Sequence, residues 1–234
     1  MIRYFFLMLF QLSILLGQTT KGMDIFYLID VSGSYHQEVL KDAVKFSGNL
    51  YDELSSMDKP IFPQKHIVDV MDEFGLTSED CSDLVEQGFS NPFITKSSNI
   101  SAPFKDECLP EVLKNSPARN TDLYGSILNA QDYLDYAKKR KALLIFSDFK
   151  DNPATYFEGN INEIDLSGIT VILLWSDTEV RVQGAQSRKL ANEIRKFLKK
   201  KNATDVQLVS LKTLKNDRNA LKDFAKNLIN ISKQ

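Results

Sequence analysis

Three apolar runs leave this chain few folds to choose from: Ile25-Phe26-Tyr27-Leu28-Ile29, Ala142-Leu143-Leu144-Ile145-Phe146 and Ile169-Thr170-Val171-Ile172-Leu173-Leu174-Trp175. A strand with one wet face alternates apolar and polar residues. Runs that do not alternate belong to strands covered on both faces, in the interior of a parallel sheet. Residues 67–71 and 206–211 read as further strands. Helical spacing separates the strands. It is set by Val39, Leu40, Ala43, Val44, Phe46, Leu50 and Leu54 over roughly 36–56, and by Leu123, Ile127, Leu128, Ala130, Tyr133, Leu134 and Ala137 over 121–137. A basic helix is expected at about 187–200 and a last helix at about 217–231. The expected class is α/β: a doubly wound, mostly parallel central sheet of about six strands flanked by helices. In such sheets ligands sit beyond the carboxyl ends of the strands, where the strand order reverses.

The N-terminus has a different character. Met1-Ile2-Arg3 gives a short positive start, residues 4–16 are almost wholly apolar, and Gln18-Thr19-Thr20-Lys21 is polar. This is the layout of a secretory signal peptide, with cleavage expected between 17 and 20. The apolar stretch falls short of the ~20 residues that span a bilayer, and no second segment is apolar enough to try. Residues 1–20 are therefore read as a signal peptide and 21–234 as one domain, secreted or periplasmic. Net charge is −2, from 29 basic and 31 acidic residues, which gives no footing for nucleic acid. Asp69, Asp72 and Glu73 read as surface carboxylates, and Lys199-Lys200-Lys201 as a solvated helix end.

Residues 76–118 carry four prolines (Pro92, Pro103, Pro110 and Pro117) and read as irregular structure inserted before the Thr121 helix. They also hold both cysteines of the chain, Cys81 and Cys108. An even pair in an oxidising compartment is expected to form a disulfide, stabilising the fold by about 3 kcal/mol through the unfolded state.

Chemistry concentrates at the strand ends. Asp30-Val31-Ser32-Gly33-Ser34 follows the first run, and a carboxylate and two hydroxyls at alternate positions there can converge on one point. Ser147-Asp148 follows the run ending at Phe146, and Thr121-Asp122-Leu123-Tyr124-Gly125 opens a helix. Hard oxygens without His or Cys suit Mg²⁺, Mn²⁺ or Ca²⁺ rather than a soft metal. Each piece has a plainer use, since Ser32, Ser34 and Thr121 are also good turn and N-cap residues.

Taken together, the three motifs resemble the von Willebrand factor type A domain over about residues 23–232. The resemblance implies a Rossmann-like fold and a metal-ion-dependent adhesion site built from Asp30, Ser32, Ser34, Thr121 and Asp148. Ser32 and Ser34 would bind the cation directly, and Thr121 and the two carboxylates either directly or through water. Two carboxylates and three hydroxyls leave a divalent ion electrophilic, with a position open to an acidic side chain of a protein partner. One departure is visible: the family usually has Gly after the last Asp, and here it is Phe149. Aromatic bulk there is expected to narrow access to the ion or to shape a contact surface.

The function expected is a metal-dependent, adhesion-type interaction module that is not an enzyme. Two alternatives stand beside it. One is a structural subunit of an envelope or secretion assembly, with the ion holding loops together. The other is a Mg²⁺-dependent hydrolase, which the absence of an Asp-x-Asp pair, a phosphate loop or a nucleophile elbow disfavours. His36 and His66 lack zinc or triad spacing and are read as structural or exposed.

Overall fold

A computed structural model describes residues 22–33, 35, 37–57, 63–71, 81–85, 104–114, 121–137, 139–150, 158–176, 181–215 and 217–231, with the backbone alone at 81–85, 158–160 and 181–187. The expected signal peptide and Ser34 lie outside the described residues.

Six strands form one sheet: β1 (Met23–Asp30), β2 (Gln64–Met71), β3 (Cys81–Val85), β4 (Arg140–Phe146), β5 (Ile169–Trp175) and β6 (Asp205–Ser210). Their order is β3-β2-β1-β4-β5-β6. Every pairing is parallel except β2 with β3, where Gln64 faces Val85 and Val68 faces Cys81. The helices are α1 (Gln37–Ser56), a five-residue π-helix (Phe104–Cys108), α2 (Leu109–Lys114), α3 (Leu123–Asp135), α4 (Glu158–Glu163), α5 (Arg181–Lys200), α6 (Leu211–Lys215) and α7 (Arg218–Ile231). Among the described residues no helix is long and apolar enough to cross a membrane.

Strand periodicity sorts the core into two layers. Ile25, Tyr27 and Ile29 point to one face, where α1 packs through Ala43, Phe46, Leu50 and Leu54, and α7 through Phe224, Ala225 and Leu228. Phe26 and Leu28 point to the other, against Leu123, Ile127, Ala130 and Leu134 of α3 and Ala191, Ile194 and Leu198 of α5. Every residue of β1 is buried, as a strand clad on both sides requires. The sheet is doubly wound, and its order reverses between β1 and β4.

The stretch 76–118 is more regular than its composition predicts. Where described, it supplies the antiparallel edge strand β3, the π-helix and α2. The π-helix lies on the α1 face through Phe104, whose ring stacks at 5.4 Å on Tyr51 and sits 5.0 Å from Tyr27. His66 completes this aromatic cluster, 4.7 Å from Tyr51. Its tautomer follows from its neighbours. Gln64 Nε2 donates to the Leu54 carbonyl at 3.1 Å, so Gln64 Oε1 accepts from His66 Nε2 at 3.1 Å, and His66 Nδ1 accepts from the Tyr27 hydroxyl at 3.0 Å. Burial pushes the His66 pKa down to about 3. Asp69 also departs from the sequence reading: it is a buried residue of β2, and its Oδ1 accepts from the Val70 N–H at 2.7 Å. Asp72 and Glu73 lie outside the described residues.

Candidate metal centre

β1 and β4 are hydrogen-bonded neighbours, with Ile29 level with Phe146, so the residues that leave them emerge side by side. Asp30 ends β1 fully buried, and both its oxygens are engaged. Oδ1 accepts from the Ser32 N–H at 2.8 Å, and Oδ2 accepts from the Ser147 hydroxyl at 2.7 Å. The second bond ties the first motif to the third across 117 residues of sequence. Burial pushes the Asp30 carboxyl up to about 6. The Ser32 and Ser147 hydrogen bonds oppose that rise, and the charge of Asp148 adds to it. The two carboxylates are thus close enough to feel one another, which is the electrostatic condition a divalent cation relieves.

Asp148 is held from its own loop. Its Oδ1 accepts from the Lys150 N–H at 3.0 Å, and its Oδ2 lies 3.2 Å from the Lys150 ammonium. Its side chain is 13% exposed, so the carboxylate has a path to solvent that Asp30 lacks. Ser32 is buried beside Asp30.

Thr121 is buried just ahead of α3, which packs on the Phe26 and Leu28 face of β1. It is not the helix cap. Asp122 is, its Oδ1 accepting from the Gly125 N–H at 2.8 Å. This division of labour explains the Thr-Asp-x-x-Gly spelling. A Cβ on residue 125 would stand 2.2 Å from Asp122 Oδ2, so only glycine leaves room for the cap. With Asp122 capping, the Thr121 hydroxyl is spared that duty.

Phe149 is a correction to the sequence reading. Its ring is 1% exposed and packs in the α3/α5 layer, so it neither narrows the site nor forms a contact surface. Its backbone is left-handed, with φ of +63°, the conformation in which glycine is at ease. Here an aromatic residue accepts that conformation, and its N–H donates to Ser147 Oγ at 2.8 Å.

Sequence reasoning missed two contributors. Ser147 was read only as the neighbour of Asp148, although a serine just past a buried strand is a signal that could have been used. Tyr35 is buried, and its hydroxyl has no hydrogen-bond partner among the described residues. Burial first, then the charges of Asp30, Asp148 and Asp42, raise its pKa. An unpaired buried hydroxyl in the field of two carboxylates fits a hydrated ion nearby.

The donors are all oxygen. Among the described residues no three His, Cys, Asp or Glu side chains converge, and what stands with the Asp30 carboxylate is the Asp148 charge and the Ser32 hydroxyl. That set fits a hard divalent cation that keeps some of its water.

No protein-family model matches the chain, and no curated protein does. Solved structures do match. The chain is similar to the vWF domain of the type V pili tip protein Mfa5 from Porphyromonas gingivalis, at 14% identity and a TM-score of 0.53, covering 92% of this chain and 97% of that one. It is similar to the pilus adhesin SpaC from Lactobacillus rhamnosus GG, at 11% identity and a TM-score of 0.54, covering 92% of this chain and 30% of that one. Proximal thread matrix protein 1 from the mussel byssus matches at 12% identity and a TM-score of 0.47; this chain spans 47% of its length. The fold is that of the von Willebrand factor type A domain.

Proposed function

We propose that this chain is an exported interaction module. It holds a divalent cation, Mg²⁺ by preference, through Asp30, Ser32, Ser34, Thr121 and Asp148, and captures an acidic side chain of a protein partner. The observation that carries this reading is the Ser147–Asp30 hydrogen bond, which draws the exits of β1 and β4 together with Asp148 beside them. The cation would supply an electrophilic centre with an exchangeable position. The chain's part is to fix two carboxylates at the switch point and to surround them with hydroxyls. Nothing in this task needs a nucleophile, and we assign no catalytic residue.

Export is proposed from the apolar residues 4–16 behind Met1-Ile2-Arg3, and it accords with surface roles such as those of a pilus adhesin and a pilus tip protein. In the same compartment we propose a Cys81–Cys108 disulfide. It is supported by the even number of cysteines, two, in a chain read as exported.

Calorimetric titration of the mature chain with MgCl₂ and MnCl₂ tests the central reading. The expected result is one site per chain in the wild type and none in Ser32→Ala or Asp148→Ala, both still folded by circular dichroism. A wild type that binds neither ion refutes it.

A further inference from the structure

The hydroxyl of Ser147 stands in a relay that no ligand motif includes. Ser147 is fully buried. Its Oγ accepts from the Phe149 N–H at 2.8 Å and donates to Asp30 Oδ2 at 2.7 Å. A serine hydroxyl has one hydrogen. With the Phe149 N–H already pointed at the oxygen, that hydrogen is committed to Asp30. The relay starts from a rigid point, because the Phe149 ring is buried in the α3/α5 layer and its backbone is fixed at a φ of +63°. On the other side of the same carboxylate, Asp30 Oδ1 accepts from the Ser32 N–H at 2.8 Å. The Ser32 hydroxyl bonds the same carboxylate, so donors from the first and third motifs grip its two oxygens and fix its rotation about the Cβ–Cγ bond. The remaining lone pairs are left aimed in a set direction.

We propose that Ser147 is a positioning residue of the cation site: through its hydroxyl it orients Asp30 toward the ion and transmits the placement of the buried Phe149 loop to that carboxylate. The inference rests on the function proposed above. Partners that hold a metal's ligands in orientation typically change affinity 10–100-fold when removed. Ser147 would act in this way whether Asp30 meets the ion directly or through a water, because either contact requires the carboxylate to face one way. A role in folding alone makes a different prediction. Removing the hydroxyl would then lower stability equally with and without the ion and leave cation affinity where it was.

The test is calorimetric titration with Mn²⁺ of wild type, Ser147→Ala, Ser147→Thr and the remote core variant Leu54→Ala, with thermal unfolding of each in EDTA and in saturating Mn²⁺. Leu54 is a buried α1 residue at the far end of the sheet, and its truncation supplies a destabilised control. The expected result is a 10–100-fold loss of Mn²⁺ affinity in Ser147→Ala, recovery to within a few-fold in Ser147→Thr, and no change in Leu54→Ala. A Ser147→Ala protein with wild-type Mn²⁺ affinity overturns the inference, as does an equal loss in Leu54→Ala. If the wild type itself takes up no Mn²⁺, the proposed function fails and takes this inference with it. If Ser147→Ala does not fold, Ser147→Cys takes its place. Its thiol is a weaker donor, and an affinity between those of wild type and the Asp30→Ala protein supports the relay, whereas wild-type affinity overturns it.

Discussion

Truncating Phe149 sets two structural facts against one another, and the order of the variants reveals which is larger. The ring is 1% exposed in a packed layer. Replacing a buried Phe by Ala ordinarily costs about 3–5 kcal/mol in lost burial and residual cavity. The same residue has a φ of +63°, where an L side chain costs roughly 1–2 kcal/mol that glycine does not incur. Alanine keeps the strain, and glycine releases it. Against that release, glycine gives up about 0.5–1 kcal/mol of extra unfolded-state freedom. Phe149→Ala is therefore expected to lose about 3–5 kcal/mol. Phe149→Gly should lose less, by up to about 1.5 kcal/mol, reversing the usual ranking of the two residues. Urea unfolding in EDTA, followed by tryptophan fluorescence, measures both midpoints. For a domain of this size each kcal/mol moves Tm by roughly 2–4 °C, so a thermal scan resolves the losses as well. If Phe149→Gly proves less stable than Phe149→Ala by 0.5 kcal/mol or more, the strain argument is wrong. If neither loses more than about 1 kcal/mol, the ring is not in the core at all.

The remaining expectations concern other parts of the molecule. His66 has a folded pKa of about 3, below the ~6.5 of an unfolded histidine, so its contribution is present above pH 6.5 and is lost as pH falls toward 3. Between pH 7 and 4.5 that amounts to roughly 2–3 kcal/mol. Subtracting the pH profile of His66→Gln from that of wild type, both in EDTA, should recover it, and parallel profiles would count against the buried neutral imidazole. Gly125→Ala forces a Cβ to 2.2 Å from Asp122 Oδ2 and should cost at least the ~0.5–2 kcal/mol of a lost N-cap. In an Asp122→Ala background the same change should cost far less, and simple additivity in this double-mutant cycle would refute the steric coupling. Cation at 100 times its Kd should raise wild-type stability by about 2.7 kcal/mol and leave Asp148→Ala unmoved; chelator-insensitive unfolding of the wild type would argue against the site. Cys81→Ser is expected to lower stability by about 3 kcal/mol if the proposed disulfide closes that loop; in the oxidised wild type, quantitative thiol labelling after denaturation would show that it does not.

Long apolar runs announced β1, β4 and β5 within two residues because burial on both faces leaves no other use for such segments. The helix spacing located α1, α3 and α7 within two residues at either end, and α5 at its C-terminal end, for a similar reason: one stripe must meet the sheet. The oxygens of the first and third motifs were legible because they follow those runs directly, and a strand's end is fixed once the strand is; Thr121 was legible as the residue that opens a helix. β3 escaped notice because Cys81-Ser82-Asp83-Leu84-Val85 is a strand only by virtue of its antiparallel pairing with β2, and pairing partners are not local information. Asp69 looked like a surface carboxylate because a lone charge in an apolar strand ordinarily turns to water, whereas its burial is decided by layers that cover β2 from other parts of the chain. The chain alone thus named Asp30, Ser32, Ser34, Thr121 and Asp148. Only the folded arrangement could show Ser147 reaching back 117 residues to Asp30, Asp122 taking the cap beside Thr121, and the Phe149 ring turned inward on a left-handed backbone. Side-chain chemistry is written residue by residue, but the direction in which it points is set by contacts that exist once the sheet has closed.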